Sequence, residues 1–269
     1  MAGRAEDRVM GDVAAEADGR GIAIRRVGVR GVHLPALIRT KGGGEVQVLA
    51  SIDMTADLPQ EYRGTHMSRF VRVLNEWRDR RISALEMKDI LAEVRAALQA
   101  QRCDMALRFK YFLEKRAPVS GTPSELDYDC EFDGVLEEGG YHFTLGVVVP
   151  VTTVCPCSRE VSDYGAHGQR ARISVRLRAA AGHIVWIEDL VPLLEQQGSC
   201  EIFPVLRRED EKWVTERAFR NPKFVEDVVR DTIAALRGVP RVTWFEVGCE
   251  VFESIHNHNA YAWSEESQA

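Results

Sequence analysis

Two cysteines and one histidine lie close together near the middle of the chain. Cys155 and Cys157 flank Pro156, and His167 follows ten residues after the second cysteine. They come after a strongly hydrophobic segment, so we expect them on a loop between two strands. Thiolate and imidazole together are ligands typical of a transition-metal site. A pair of buried thiols beside an exposed loop histidine is the alternative, and the spacing alone does not decide between the two.

Two further histidines, His256 and His258, follow the last predicted strand and are separated by one residue. Side chains at positions i and i+2 of an extended chain point the same way. Such a pair suits proton transfer or metal ligation near neutral pH. A solvated polar loop is equally compatible with this spacing.

The start of the first predicted long helix, residues 64–70, contains groups that bind anions. Backbone N–H groups at a helix start could bind phosphate together with the side chains of His66, Ser68 and Arg69. The simpler alternative is a helix N-cap followed by a surface arginine.

Acidic residues concentrate in two segments of the second half. Residues 207–212 form a run of mixed charge, which is usually a solvated face. Glu226 lies near the start of a predicted helix, where the helix dipole favours a carboxylate, so a structural role is the default there.

The elements that must position these residues follow the order β-β-α-α-β-β, and this order occurs twice. Antiparallel hairpins with helices on one face predict an α+β fold, each unit having a four-stranded antiparallel sheet covered by two helices. We expect a disordered tail at residues 1–20, a first unit at 21–138 and a second unit at 139–269. A single irregular α+β domain is the alternative. The predicted strands are 24–38, 46–52, 104–115, 125–136, 141–153, 170–180 and 241–253, with a short strand or loop near 260–263; the predicted helices are 68–81, 83–100, 187–197 and 222–237.

Bulk composition restricts the classes of protein to which the chain can belong. Its 269 residues include 45% hydrophobic and 28% charged residues, ordinary proportions for a globular protein. The net charge of −6 disfavours non-specific binding to nucleic acid. No stretch approaches the roughly 20 apolar residues that span a membrane, and we identify no signal peptide, so we expect a cytoplasmic protein. The six cysteines are expected to be thiols rather than disulfides.

Several segments, taken together and in their order along the chain, resemble the type IB GTP cyclohydrolase I family. The similarity runs from about residue 45 to residue 262. It is carried by Asp57-Leu58-Pro59, Gly64-Thr65-His66-Met67-Ser68-Arg69-Phe70, Cys155-Pro156-Cys157-Ser158-Arg159-Glu160, Ser162-Asp163-Tyr164-Gly165-Ala166-His167, Asp210-Glu211-Lys212 with Val214-Thr215-Glu216, Asn221-Pro222 with Phe224-Val225-Glu226-Asp227, and Glu253-Ser254-Ile255-His256 with His258.

The resemblance implies a tunnelling fold with two units per chain, and a homotetramer whose active sites lie at subunit interfaces. It also implies conversion of GTP and water to 7,8-dihydroneopterin triphosphate and formate, the first step of tetrahydrofolate biosynthesis. The family uses a divalent metal ion in each active site and accepts metals other than zinc. Manganese, zinc, iron and magnesium are therefore the candidate ions.

Carried over residue by residue, the resemblance implies that Cys155, His167 and Glu211 are the metal ligands. Glu211 is preferred to Glu209 because the Asp-Glu-Lys block carries the similarity and the residue before it does not. Cys157 is expected next to the metal ligands or the substrate, and is counted among the catalytic candidates.

The same resemblance implies the residues that handle the substrate. Glu226 is expected to accept hydrogen bonds from the N–H groups of the guanine edge, and His256 and His258 to transfer protons. Contacts with the triphosphate, made across a subunit interface, are expected from three residues: His66, Ser68 and Arg69.

Two other functions remain compatible with the sequence. One is a related enzyme on the same fold, either a nitrile reductase of queuosine synthesis, which would need NADPH, or an archaeal-type cyclohydrolase that makes a cyclic phosphate. The other is a non-catalytic metal-binding scaffold, in which a structural zinc ion would be fully coordinated by four protein ligands.

Overall fold

A computed structural model gives the positions of residue 14 and residues 16–268. Most of the tail predicted at residues 1–20 lies outside these described residues, so its disorder stays a prediction. In the described part of that segment, Ala17 forms an isolated antiparallel bridge with Tyr62.

Within the described residues the chain forms ten strands and six helices. The strands are β1 (Ile24–Arg39), β2 (Glu45–Leu58), β3 (Arg81–Ile82), β4 (Cys103–Arg116), β5 (Pro123–Glu137), β6 (Gly140–Val154), β7 (Gly168–Ala179), β8 (Cys200–Glu201), β9 (Val242–Val251) and β10 (Ala260–Ser267). The helices are α1 (Met67–Glu76), α2 (Ala84–Leu98), α3 (Pro156–Val161), α4 (Ile187–Glu195), α5 (Arg208–Arg220) and α6 (Val225–Arg237). None of these helices is long and apolar enough to cross a membrane.

The strands join in one sheet, in the order β10-β9-β7-β6-β5-β4-β2-β1-β3, with β8 beside β6. Neighbouring strands are antiparallel except for β3, which runs parallel to β1. The predicted α+β class is confirmed. The two predicted units meet at the turn between β5 and β6, and these strands pair from Glu137 with Gly140 to Asp129 with Val148. The halves therefore contribute to a single sheet, and their division at residue 138 stays a prediction.

Side-chain alternation places the hydrophobic core on one face of this sheet. On β4, Leu107 and Phe109 are buried, whereas Arg108 between them lies on the other face. The helices cover the buried face, and α2 packs closely on β5. A Cβ atom added to Gly134 of β5 would lie 2.9 Å from the sulfur of Met87, so a larger residue there would force the Met87 side chain to shift.

The opposite face carries charged side chains in ion pairs between strands. Arg108 contacts Asp53 of β2 at 3.1 Å and Glu131 of β5 at 2.9 Å. Arg176 of β7 contacts Asp133 of β5 at 2.9 Å. Because exposed pairs contribute only about 0–1 kcal/mol each, burial on the helical face provides most of the stability.

Two helix boundaries differ from those predicted. The helix predicted at residues 68–81 ends at Glu76, because the chain then turns toward the short strand β3. The helix predicted at residues 222–237 begins at Val225, because the carboxylate of Asp227 accepts the N–H group of the residue just before the helix.

Two helices were not predicted. The first is the short helix α3, and the second is α5, which begins inside the charge run at residues 207–212. Asp210 in that run is fully buried, so the run is only partly a solvated face. The second half consequently has more helices than the expected pair.

A buried ion pair connects the two halves beneath the helical layer. The Lys115 ammonium group, at the end of β4, lies 2.7 Å from Glu195 of α4 and 3.2 Å from Glu201 of β8. Tyr128 of β5 donates a hydrogen bond of 2.7 Å to the other oxygen of Glu195, and the Lys115 ammonium lies 4.6 Å from the centre of the Phe203 ring. Burial raises the pKa of Glu195, although Lys115 and Tyr128 oppose that shift.

Removal of the Lys115 charge should destabilise the protein strongly. In Lys115→Met we expect the free energy of unfolding to fall by about 3–5 kcal/mol, because the Glu195 carboxyl group loses its buried partner. Denaturant unfolding monitored by circular dichroism measures this. Lys110→Met, on the exposed face of the same strand, is the matched control and should cost about 0–1 kcal/mol. Equal losses in the two variants would contradict the importance of burial here.

Candidate active site

Cys155 lies where strand β6 ends and helix α3 begins. It is the N-cap residue of α3, and its Sγ atom accepts a hydrogen bond of 3.4 Å from the N–H group of Ser158. Pro156 occupies the first helical position, where its missing N–H group costs nothing. The Cys155 side chain is half-buried and that of Cys157 is exposed.

His167 lies beside Cys155, just before strand β7 begins. The N–H group of Cys155 donates to the carbonyl oxygen of His167 at 3.1 Å, and the N–H group of His167 donates to Ser158 Oγ at 3.2 Å. The two residues are therefore neighbours at the loop end of the β6–β7 hairpin, joined by a backbone hydrogen bond and bridged by α3. This juxtaposition makes a cysteine and a histidine neighbours along the backbone, and the predicted metal site needs both residues.

The imidazole ring of His167 is oriented by two polar side chains. Its Nδ1 atom lies 2.9 Å from Gln169 Oε1 and 3.4 Å from Ser254 Oγ. Within the described residues, both hydrogen bonds of the His167 ring involve Nδ1. Nε2 is therefore the ring nitrogen that could bind a metal ion. A thiolate and an imidazole nitrogen suit zinc, iron and related divalent ions, so this pair fits the metal expected there.

The loop before helix α6 is attached to the same end of β6. The N–H group of Lys223 donates to the carbonyl oxygen of Val154 at 3.1 Å. The side-chain amide of Asn221 donates to the carbonyl oxygens of Gly198 at 3.1 Å and of Ser199 at 3.2 Å. Glu226, three residues after Lys223, is exposed in the first turn of α6. It is thus connected to the strand that carries Cys155 through a short, hydrogen-bonded segment.

Ser199 forms buried hydrogen bonds with the end of strand β6. It is fully buried, its Oγ atom accepts a hydrogen bond of 3.1 Å from the N–H group of Val154, and its own N–H group donates to Thr152 at 2.8 Å. Nothing in the sequence around Ser199 indicated this role, because its partner lies far away along the chain.

Helix α5 packs near the same region but holds Glu211 at its exposed first turn. Trp213 and Val214 of α5 pack in a small cluster with Val154 and Ala166. Within residue 14 and residues 16–268, no group of three or more histidine, cysteine or acidic side chains stands close enough to hold a metal ion. The structure therefore brings Cys155 and His167 together without Glu211, whose ligation stays a prediction.

Asp210, next to Glu211, is a structural residue that the sequence did not reveal. Its carboxylate accepts hydrogen bonds from the N–H groups of Val119, Ser120 and Arg207 at 2.8–2.9 Å. Burial disfavours its ionised form, but these bonds and one from the Ser120 hydroxyl outweigh burial and lower the pKa of Asp210. Asp210 thus anchors the start of α5 to the β4–β5 turn. The three-residue spacing from Arg207, typical of a helix cap, was the only local signal.

His256 and His258 lie together in the loop between β9 and β10. Their rings are stacked with centroids 5.1 Å apart and planes 11° from parallel, and both side chains are exposed. Ser254, which contacts His167, belongs to the same loop, so the histidine pair is connected to His167 through a short segment. Their roles in proton transfer stay a prediction.

The residues expected to bind triphosphate lie at the opposite end of the sheet. His66 is the N-cap residue of α1, which follows the end of β2, and Ser68 is exposed beside it. The Arg69 guanidinium donates to the carbonyl oxygen of Ala97 at 2.9 Å. A strand such as β5, with 15 residues, is about 50 Å long at about 3.3 Å per residue. These groups therefore cannot reach the Cys155 of their own chain.

A cavity of about 770 Å³ opens on the charged face of the sheet beside His167. Gln169 and Ser254 line one side of it, and Phe203 and Phe252 line another. Its volume falls within the range of small-molecule sites, about 300–1,000 Å³. Neither Cys155 nor Glu226 lines it, so this cavity is not the whole of the predicted site.

Comparison with known proteins identifies relatives along nearly the whole chain. A family model described as type I GTP cyclohydrolase FolE2 matches residues 10–262. The GTP cyclohydrolase FolE2 of Magnetococcus marinus is 46% identical, with 96% of this chain and 97% of that protein covered. That of Geobacter sulfurreducens is 48% identical, with 96% and 99% covered.

Among solved structures, the uricase of Arthrobacter globiformis has a similar fold. The TM-score is 0.54 at 9% sequence identity, and the match covers 91% of this chain and 93% of the uricase. At this identity the similarity concerns the arrangement of the chain alone.

Loss of the Ser199 hydroxyl should loosen the end of β6. In Ser199→Ala the buried N–H group of Val154 loses its acceptor, and we expect the free energy of unfolding to fall by about 1–3 kcal/mol. Urea denaturation gives this value. Ser51→Ala on β2, where the serine has no side-chain hydrogen bond to the described residues, should differ little from the wild type. An unchanged stability of Ser199→Ala would show that the hydroxyl is dispensable.

Proposed function

Because the chain belongs to the type I GTP cyclohydrolase FolE2 family, we propose that it converts GTP and water to 7,8-dihydroneopterin triphosphate and formate, the first step of tetrahydrofolate biosynthesis. The structural observation that supports this most is the pairing of Cys155 with His167 at the end of the β6–β7 hairpin. Family membership favours this activity over a nitrile reductase, a cyclase that makes a cyclic phosphate, or a scaffold without catalysis.

One divalent ion per active site is part of this proposal. Cys155 Sγ and His167 Nε2 would hold it, with Glu211 as the third ligand, and the candidate ions are manganese, zinc, iron and magnesium. Such an ion supplies Lewis acidity and lowers the pKa of a water molecule toward neutrality. The support for Glu211 is its place in the family motif, since no three potential ligand side chains stand together in the described residues.

The chain's own residues orient the base and move protons. Glu226 accepts hydrogen bonds from the N–H groups of the guanine edge, so that C8 is presented toward Cys155 and His167. Water adds to C8, and His256 or His258 protonates N7 as the imidazole ring opens. A second water releases formate from the resulting formamide. The ribose then opens, rearranges and closes onto the freed amine with loss of water. Cys157 lies close enough in sequence to contact the substrate beside Cys155.

A homotetramer with the tunnelling fold and with shared active sites completes the proposal. His66, Ser68 and Arg69 lie at the opposite end of the sheet from Cys155. Only a second copy of the chain could bring their anion-binding groups to the triphosphate of a GTP held near Cys155. A cytoplasmic location agrees with a role in folate synthesis.

Substitution of the proposed ligands should remove the metal and the activity together. In Cys155→Ala, His167→Ala and Glu211→Gln we expect loss of bound metal, measured by elemental analysis, and loss of formate release from GTP. Fluorescence of the oxidised pterin after loading with manganese, zinc, iron or magnesium measures turnover. Glu209→Gln is the matched control for Glu211 and should retain both. A Cys155→Ala protein with normal metal content and activity would refute the ligand assignment.

Substitution of the base-binding carboxylate should separate metal binding from turnover. In Glu226→Gln we expect wild-type metal content but at least about a 100-fold loss of kcat/KM, because the amide cannot accept both guanine hydrogen bonds and the base is misplaced. Glu216→Gln on α5 is the control. Wild-type kinetics in Glu226→Gln would exclude this role.

Active sites shared between subunits should show complementation. Arg69→Ala and Cys155→Ala are each expected to be inactive alone. Co-expression with different tags yields mixed oligomers, in which some interfaces combine the intact Arg69 of one subunit with the intact Cys155 of another. We therefore expect partial recovery of pterin formation in doubly tagged material. No recovery, with both variants folded in thermal denaturation, would place these groups outside a common site.

A further inference from the structure

Two side chains from separate segments meet at one nitrogen of His167. Gln169 is half-buried near the start of β7, two residues after His167. Its Oε1 atom lies 2.9 Å from Nδ1. Ser254, in the loop after β9, places its Oγ atom 3.4 Å from the same nitrogen.

The chemistry of these groups selects one tautomer of the ring. A neutral imidazole has one N–H group and one nitrogen with a free lone pair, whereas an amide oxygen can only accept a hydrogen bond. The contact with Gln169 Oε1 therefore requires the proton on Nδ1. The lone pair is then on Nε2, where a metal ion would bind.

The segment that carries Ser254 is hydrogen-bonded to strand β7. The N–H group of Phe252 donates to the carbonyl oxygen of Arg170 at 2.9 Å. Ser254 follows two residues later, and the stacked pair His256 and His258 comes next in the same loop. A change in the orientation of the His167 ring would therefore alter its contact with Ser254 in this loop.

We propose that Gln169 is a positioning residue that fixes the tautomer and orientation of His167, with Ser254 as the second contact that ties the His256–His258 loop to the same ring. Partners of this kind raise the basicity of a ligating histidine and hold its ring toward the ion. The proposal rests on the proposed function, because it assigns His167 Nε2 to the metal.

The test compares two variants of Gln169 with a matched control. Gln169→Leu removes the acceptor while keeping a side chain of similar length, and Gln169→Glu restores an acceptor oxygen. Gln47→Leu makes the same change on β2, where the glutamine is exposed and has no side-chain hydrogen bond to the described residues. Affinity for Zn²⁺ and Mn²⁺ is measured by competition with a chelator, and kcat and KM are measured for GTP.

A second measurement reports the tautomer directly in the metal-free protein. Nitrogen-15 chemical shifts of the His167 ring are recorded at about pH 8.5, where an ordinary imidazole is neutral. The wild type should show a protonated Nδ1 and an unprotonated Nε2. Gln169→Leu should shift the population toward the Nε2–H form, whereas the control should not change it.

We expect Gln169→Leu to weaken metal binding by about 10–100-fold, with wild-type thermal stability, and Gln169→Glu to bind at least as tightly as the wild type. Unchanged affinity and tautomer in Gln169→Leu would overturn the proposal. So would an equal loss in Gln169→Glu, since that variant keeps the acceptor. If the wild type bound no metal through His167, the proposed metal site would fail. The nitrogen-15 shifts would still decide whether Gln169 sets the tautomer.

Discussion

The hydrogen bonds at the end of strand β6 determine the geometry of the site. The N–H group of Val154 is bound by Ser199 and its carbonyl oxygen by Lys223, while the next N–H group, that of Cys155, is bound by His167. Buried backbone groups must find partners, and here each partner belongs to a different segment of the chain. Cys155, His167 and the loop that leads to Glu226 are therefore arranged around one strand end by the need to satisfy its polar groups.

This arrangement explains why one chain brings together only part of the proposed site. Cys155 and His167 flank the loop of a single hairpin, directly after β6 and directly before β7, so short-range pairing is sufficient to bring their backbones together. Glu211 is on a helix whose first turn is held instead to the β4–β5 turn by Asp210. The start of α1, which we propose as the triphosphate-binding segment, is at the far end of the sheet. The proposed site thus combines a rigid pair of donors with groups that must approach from a helix and from another subunit.

Local patterns in the sequence were sufficient for much of the fold. Every long strand was predicted at its observed place in the chain, and α2 begins within one residue of its predicted start, where Ser83 accepts the N–H group of Leu85. The spacing of Cys155 and His167 predicted a shared loop between strands, as observed. Helix α5 was missed because its first turn is a charge run, and the burial of Asp210 depends on Ser120, which is 90 residues away. The contacts of Ser199 and Gln169 likewise depend on strand pairing that no local pattern reveals.

The continuous sheet has a consequence for how the molecule unfolds. Strands β5 and β6 are hydrogen-bonded along most of their length although they belong to different predicted units, and the buried Lys115 of the first half pairs with Glu195 of the second. Neither half can be exposed to water without breaking that ladder and separating that pair. We therefore expect heat to unfold the chain in one cooperative transition. A destabilising substitution far from Cys155 and His167 would then reduce the fraction of molecules in which their hairpin is folded.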